Sequence, residues 1–323
     1  MIRSYAFNQT QGRLISQDLT LDLLKVVLQD DGVQFWVDVG ECSDDEAKSV
    51  LDGVFHFHPL AIEDCLMPSD RAKVEEYDGY VFLVIHAVNY NGGEFKACEL
   101  DLFIGKNFLV TYHREPLRCV QATVERVMKN APAVARAPDR LSYTILDSLL
   151  EGYAPALEEM SVEIADLERS LLANPSRNVL GDVSQLKGEV QRLRQIVWPQ
   201  RETIARIAHG EFKVVRAHML PYYRDLLDQL VRISTMAENS RDSLTNVLQI
   251  HLNIQQMQVN HVLKVLTVMA TLCMPALVVT SYYGMNLVHW PGPDASFAWI
   301  WVWAATGSST AFLAWLLKRK GWW

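Results

Sequence analysis

The sequence predicts an α+β body, a long helical stalk and a C-terminal two-helix transmembrane hairpin. Three observations predict it. Residues 265–283 hold no Asp, Glu, Lys or Arg in 19 positions, and residues 295–317 hold none in 23. Either run is long enough to cross a hydrocarbon core of ~30 Å at ~1.5 Å per helical residue. Residues 222–274 run for 53 positions with neither Gly nor Pro, and as one helix that is ~80 Å, well beyond the usual globular length. Ahead of these, up to about Arg114, short runs rich in β-branched and aromatic residues mark a mixed α/β region.

In chain order, Val33-Gln34-Phe35-Trp36-Val37, residues 80–88 and residues 108–113 read as strands. Asn91-Gly92-Gly93 between apolar runs is a hairpin signal. Residues 44–51 and 60–66 read as short helices. From Pro116 the character turns helical. Residues 144–172 repeat apolar side chains at steps of three and four, with Asn174-Pro175 as a stop, and residues 183–197 make a second arm that ends near Trp198-Pro199. The long helix starts after Pro221, amphipathic and charged at first, apolar where it becomes the first span. A helix that leaves a soluble body and crosses the bilayer without a break can carry mechanical information between the two. The expected divisions are 1–115 for the α/β domain and 116–260 for the helical arms and stalk. Then follow 261–283 for the first span, 284–294 for a loop, 295–317 for the second span and 318–323 for a basic tail.

Half of the 323 residues are apolar, yet the mean hydropathy is only +0.03, so most of the chain outside the two runs is soluble in character. The first 260 residues carry 26 basic and 37 acidic side chains, a net of about −11. That balance argues against nucleic acid, which calls for a basic face, and fits a body that gathers cations. The five cysteines show no C-x-x-C spacing and read as reduced thiols rather than a disulfide frame or zinc knuckle. Residues 1–17 have no apolar core, so no cleavable signal is expected. Lys264 precedes the first run, and Lys318, Arg319 and Lys320 follow the second, while the loop between has no Lys or Arg. The positive-inside bias therefore places both termini in the cytoplasm and the loop outside.

Along the first span, Asn260, Leu263, Thr267, Ala270, Met274, Leu277 and Ser281 keep to steps of three and four, one face of a helix. A lipid-facing stripe has no reason to include Asn, Thr and Ser. A face lining a symmetry axis does, and so does a helix–helix seam in a membrane. Leu263, Leu266 and Met274 are candidate apolar constrictions of the kind that close a pore by dewetting.

Tyr283-Gly284-Met285-Asn286 lies in the gap between the two runs. With the basic tail, it resembles the signature of the CorA family of divalent cation channels. Three further stretches in the same order agree. His58-Pro59-Leu60-Ala61-Ile62-Glu63-Asp64 with Lys73-Val74-Glu75, and Ile196-Val197-Trp198-Pro199, resemble cytoplasmic segments of the family. Val262-Leu263-Lys264-Val265-Leu266-Thr267, with Met274-Pro275, resembles its first membrane helix. The resemblance covers nearly the whole chain. It implies a cytoplasmic α/β/α sandwich, a homopentameric funnel in the cell (inner) membrane and transport of Mg²⁺, with Co²⁺ and Ni²⁺, rather than enzymatic activity. It implies no bound cofactor beyond a divalent cation that is both cargo and regulator. Other partners would be further copies of the chain and the lipid bilayer.

The resemblance also implies site residues. Asn286 would form a ring of carbonyl oxygens that recognises waters on a hydrated ion, since Mg²⁺ gives up water reluctantly. Gly284 would let a backbone carbonyl approach with no Cβ in the way. Glu63, Asp64 and Asp225 match positions where acidic side chains of neighbouring subunits bind cytoplasmic Mg²⁺; the plainer reading makes them a helix's acidic face, with Asp225 paired to Arg224 or Arg232. One departure concerns the loop after the signature, Leu287-Val288-His289-Trp290-Pro291-Gly292-Pro293-Asp294. Many members place a glutamate there, whereas this chain has His289 and Asp294. The ZntB branch also lacks the glutamate, and imidazole suits zinc, so a zinc transporter is the alternative. Two other readings remain. His56 and His58 would share a face on a strand and could recruit Glu63 and Asp64 to a hydrolytic metal centre, but spacing places no third ligand or base. A membrane receptor or tether without flux is the last.

Overall fold

The computed structural model describes residues 2–28, 30, 32–69, 71–91, 94–174, 179–285 and 298–322. They form two compact units, Met1–Leu248 and Gln249–Trp323.

The first unit is built on a seven-stranded sheet in the order β2-β1-β3-β7-β6-β5-β4. Its strands are β1 (Ile2–Asn8), β2 (Leu14–Gln17), β3 (Val33–Gly40), β4 (Lys73–Tyr77), β5 (Tyr80–Asn91), β6 (Glu94–Gly105) and β7 (Phe108–His113). Only β3 and β7 run parallel; every other neighbour is antiparallel. The hairpin signal holds, because β5 and β6 pair from Asn91↔Glu94 back to Tyr80↔Gly105.

The sheet is covered on both faces, so its central strands are nearly continuous apolar runs. One face presents Phe35, Val37, Val39, Phe82, Val84, Phe103 and Val110 to α1 (Leu21–Val27), α2 (Asp44–Leu51) and α3 (Pro59–Leu66). Phe57 stacks on Phe103 there, with ring centroids 4.0 Å apart. Against the other face pack α5 (Pro138–Glu151), α6 (Tyr153–Ala173) and α7 (Leu180–Ala208), with α4 (Arg118–Val134) beside α5. Local signals start these helices: Ser43 and Glu46 form a reciprocal capping box on α2. Pro59 opens α3 while His58 Nδ1 accepts from the Leu60 N–H at 3.3 Å.

Three expectations are corrected. The pattern over 144–172 is two helices, because α5 ends at Glu151 and α6 begins at Tyr153. At the junction Gly152 lies so close to the preceding turn that a Cβ would meet Leu149 O at 3.1 Å, which only glycine tolerates comfortably. The second arm does not stop at Pro199; α7 continues to Ala208. An interior proline costs ~3 kcal/mol, but Gln200, Thr203, Ile204, Ile207 and Ala208 beyond it are all buried, and their packing against β4 and β5 outweighs that cost. Finally, His56 and His58 are not on a strand. His56 has φ 50° and His58 caps a helix, so the pair shares no face.

The long helix is α8 (Leu220–Tyr283), unbroken through Pro275. Its start is tied to α5. Asp139, 2% exposed, accepts from Arg216 Nε at 2.8 Å, Nη2 at 2.6 Å and the backbone N–H at 3.1 Å. The buried Tyr223 hydroxyl lies 2.7 Å from Ser142 Oγ and donates to Asp139 O at 3.0 Å. In the second unit α9 (Ala298–Arg319) closes with Lys318 and Arg319 in its last turn, where cations suit the helix dipole.

Candidate functional site

Two helices, α8 and α9, are long and apolar enough to cross a membrane, and their apolar stretches are almost entirely unburied. The half-covered residues of α8 fall on one side, at Val268, Thr271, Leu272, Ala276 and Val279, with Pro275 buried among them. On α9 they are Val302, Thr306, Ser309, Thr310, Leu313, Ala314, Leu316 and Leu317. Both sets repeat at three and four residues, as two faces of a packed pair do. Lys264 Nζ donates to Gly321 O at 3.2 Å, fastening together the ends of α8's apolar stretch and of α9 that carry the basic residues. Trp299, Trp301 and Trp303 near one end of α9, and Trp315 and Trp322 near the other, are exposed, the distribution expected of interfacial anchors.

Asn260, Leu263, Leu266, Thr267, Ala270, Met274, Leu277 and Ser281 all lie off that covered side and are exposed. Hydrogen bonds shape what the polar members offer. The Thr267 hydroxyl donates to Leu263 O at 2.7 Å, so its outward lone pairs are acceptors. Asn260 Oδ1 accepts from Gln256 Nε2 at 3.2 Å, which orients that amide. A face carrying acceptors between Leu and Met side chains suits water-wrapped cations and apolar narrowings. It carries no carboxylate.

At the end of α8 the Gly284 N–H donates to Thr280 O at 3.0 Å and Ser281 O at 3.2 Å. A Cβ there would approach Thr280 O at 3.3 Å, so the chain leaves the helix where a side chain would crowd it. Asn286, His289 and Asp294 lie outside the described residues.

The acidic residues sit in the first unit. Glu63 is exposed and Asp64 half-buried on α3; Asp225 is exposed on the first turns of α8. Asp64 forms an ion pair with Lys73, which also reaches Glu75 Oε1 at 3.3 Å. Burial alone would lower the Lys73 pKa, but Asp64 and Glu75 outweigh it and hold it above the usual lysine range. Asp225 Oδ2 accepts from Gln229 Nε2 at 3.1 Å rather than from the arginines expected of it. Among the described residues no hydrogen bond or ion pair joins Asp225 to Glu63 or Asp64 within one chain, and no group of three His, Cys, Asp or Glu is placed to hold a metal. The Lys73 partner had no local signal: only the pairing of β4 with β5 brings that lysine to α3. The Asp139–Arg216 tie had no local signal, its residues being 77 positions apart.

Residues 32–319 match the family of CorA-like Mg2+ transporter proteins. The putative metal ion transporter YfjQ of Bacillus subtilis is 30% identical over 269 residues, covering 82% of this chain and 83% of its own. The cobalt/magnesium transport protein CorA of Thermotoga maritima is 28% identical over 311 residues, covering 94% and 88%. The complete structure of the CorA magnesium transporter from Methanocaldococcus jannaschii superposes with a TM-score of 0.80 at 19% identity, over 99% of this chain and 98% of that one. At that identity it is a likeness of fold.

Proposed function

The chain belongs to the CorA-like Mg²⁺ transporter family, a family of membrane transporters for metal ions rather than of enzymes, and from that premise we propose how this member works. Five copies assemble into a funnel whose axis is lined by the exposed stripe of α8, with both termini in the cytoplasm of a cell whose inner membrane it spans. Mg²⁺, and with it Co²⁺ and Ni²⁺, passes with much of its hydration shell, recognised at the entrance by Asn286 and backbone oxygens around Gly284. Asn260 and Thr267 offer further acceptors, and Leu263, Leu266 and Met274 supply the constrictions. The membrane potential drives entry, since two charges across 100 mV are worth ~4.6 kcal/mol. In the cytoplasm, cation bridging between Asp64, Glu63 and Asp225 of adjacent copies holds the channel closed when metal is plentiful. Lys73 competes for Asp64, which keeps such a site weak, in the millimolar range expected of few direct ligands.

The observation that supports this reading most is the stripe itself. One chain leaves Asn260, Thr267 and Ser281 exposed on the side of α8 away from its half-covered face, and polar groups within a span call for other protein or water. The second reading, a zinc transporter of the ZntB type, is favoured by His289 in a loop that lacks the usual glutamate. Uptake of Mg²⁺, Co²⁺, Ni²⁺ and Zn²⁺ by purified protein in sealed vesicles, beside Asn286→Ala, tests both. The first reading expects Mg²⁺ uptake that the variant abolishes while its assembly stays intact. Uptake of zinc alone favours the second, and no uptake of any ion leaves a receptor or tether.

A further inference from the structure

Beneath α3, on the face of β6 that also carries Phe103, lie two acids, Glu99 and Asp101. Asp101 is 1% exposed, and no N–H or O–H group donates to either of its carboxylate oxygens; the polar groups beside it are the Cys65 thiol and the Glu99 carboxyl. The groups acting on it bring no compensating cation. They are Glu99, two positions along the same strand face, Cys65 above it on α3, and Asp64 on the same helix. Tyr112 on β7 and Arg114 just past its end face the region. Tyr112 is pushed up to about 12, chiefly by burial. Arg114 favours ionisation of Glu99 but is engaged with Leu66 O at 2.6 Å and with Asp44 at 3.4 Å. From β5, His86 Nε2 lies 2.6 Å from Ser69 O and 3.8 Å from Glu99 Oε2.

A fully buried carboxyl beside a half-buried one cannot ionise cheaply while its neighbour is charged; one retains a proton, and the pair titrates as a unit. Burial, first of all, and then the charge of Glu99 push Asp101 well above the usual carboxylate range; burial also raises Glu99, against the opposing pull of the Ser69 N–H, Asp101 and Arg114. The proton also fits better than a metal, since among the described residues no three ligating side chains converge. The pair is wired to its surroundings. Glu99 Oε2 accepts from Ser69 N at 2.6 Å, holding the segment that follows α3. His86, paired opposite Glu99 on β5, is held from the other side of the sheet, where Tyr153 donates to its backbone O at 2.7 Å. Beside the acids is a cavity of about 160 Å³ whose lining includes Cys65, Pro68 and Arg114, room for several waters at ~30 Å³ each.

We propose that Glu99 and Asp101, covered by α3 with no cation paired to Asp101, share one proton and act as an alkaline-sensitive latch on α3 and the segment 67–69. Loss of the proton leaves a buried negative charge on Asp101 beside that of the half-buried Glu99, draws water toward them and loosens α3, the helix that bears Glu63 and Asp64, from the sheet. The sign follows from linkage: an acid whose pKa is higher folded than unfolded binds more protons in the folded state, so stability falls as pH rises from the unfolded value through the folded one. The latch does not depend on which ion the protein carries.

Hydrogen exchange of the α3 amides in the full-length protein in detergent, corrected for intrinsic exchange and compared with α7, tests it. Between about pH 6 and about pH 9, α3 protection in the parent is expected to fall at least ~10-fold more than that of α7, as an opening of local type would produce. In Asp101→Asn and in Glu99→Gln the excess loss should shrink to less than about threefold; should the first variant misfold, the second decides. An equal loss in the parent and a folded variant, or no excess loss in the parent, overturns the proposal. So does restoration of α3 protection at alkaline pH by Mg²⁺ or Zn²⁺ in the parent alone, which would make the pair a metal site.

Discussion

Replacing Asp139 with Ala strikes the tie that sets the start of α8. The carboxylate is 2% exposed and takes three hydrogen bonds from Arg216, at 2.6, 2.8 and 3.1 Å. Removing one partner of a fully buried ion pair costs about 3–5 kcal/mol. Arg216, however, is 46% exposed, so its guanidinium regains water once the carboxylate is gone, and the cost drops to about 2 kcal/mol. Ser142 keeps its contact with the Tyr223 hydroxyl, so the helix stays docked and the loss is one of anchoring. For a body of this size each ~1 kcal/mol moves Tm by about 2–4 °C, so Asp139→Ala should melt about 4–8 °C lower by scanning fluorimetry in detergent. Arg216→Ala should cost more, about 3–5 kcal/mol, because it strands the buried Asp139 carboxylate without its cation. The double variant should cost no more than Arg216→Ala alone, because residues in one hydrogen-bonded pair are non-additive. A shift within about 1 °C for Asp139→Ala, or a double variant equal to the sum of the singles, would refute this account of the anchor.

Leu263→Asn or Leu266→Asn should raise leak at high cytoplasmic Mg²⁺ by wetting a constriction; currents in planar bilayers as tightly closed as the parent's would place the gate elsewhere. Asp64→Asn combined with Asp225→Asn should conduct at roughly millimolar Mg²⁺ that silences the parent, and Mg²⁺ should no longer protect its α8 from proteolysis. Inhibition and protection that both survive would make these ordinary surface acids. His113 lies 3.2 Å from Asp38 Oδ1 and 2.7 Å from Glu115 O. Its burial would lower the pKa, but these partners reverse that and hold it above the usual histidine value. The stabilisation is therefore present below the unfolded value and lost as pH rises through the folded one. His113→Asn should accordingly lose more stability at acidic than at alkaline pH, a difference of about 2–4 °C in Tm per ~1 kcal/mol, and an identical pH profile to the parent would contradict it.

Much of the architecture was legible because its signals are local. Span length and the absence of charge announce α9 and the end of α8, and the lack of Gly or Pro through 222–274 announces that α8 is continuous. Asn91-Gly92-Gly93 announces the longest antiparallel pair. The stripe from Asn260 to Ser281 was equally readable, since helical period alone decides which residues share a face. The acidic positions of α3 were visible as acids, though not that Lys73 sits against Asp64.

What the tertiary structure decided depends on partners far away in the chain. β1 and β2 pair at one edge of the sheet and β4 at the other, and a short strand has too little sequence of its own to declare itself before its neighbour is present. Pro199 reads as a stop by its missing N–H and its ring, yet the buried surface beyond it carries α7 onward. Gly152 hides inside an unbroken apolar period, and nothing in that period marks the junction at which α5 gives way to α6. Asp101 looks in sequence like any polar residue on a strand. Only the closure of α3 over β6 removes it from water without an N–H or O–H donor, and burial rather than residue type gives it a proton to hold.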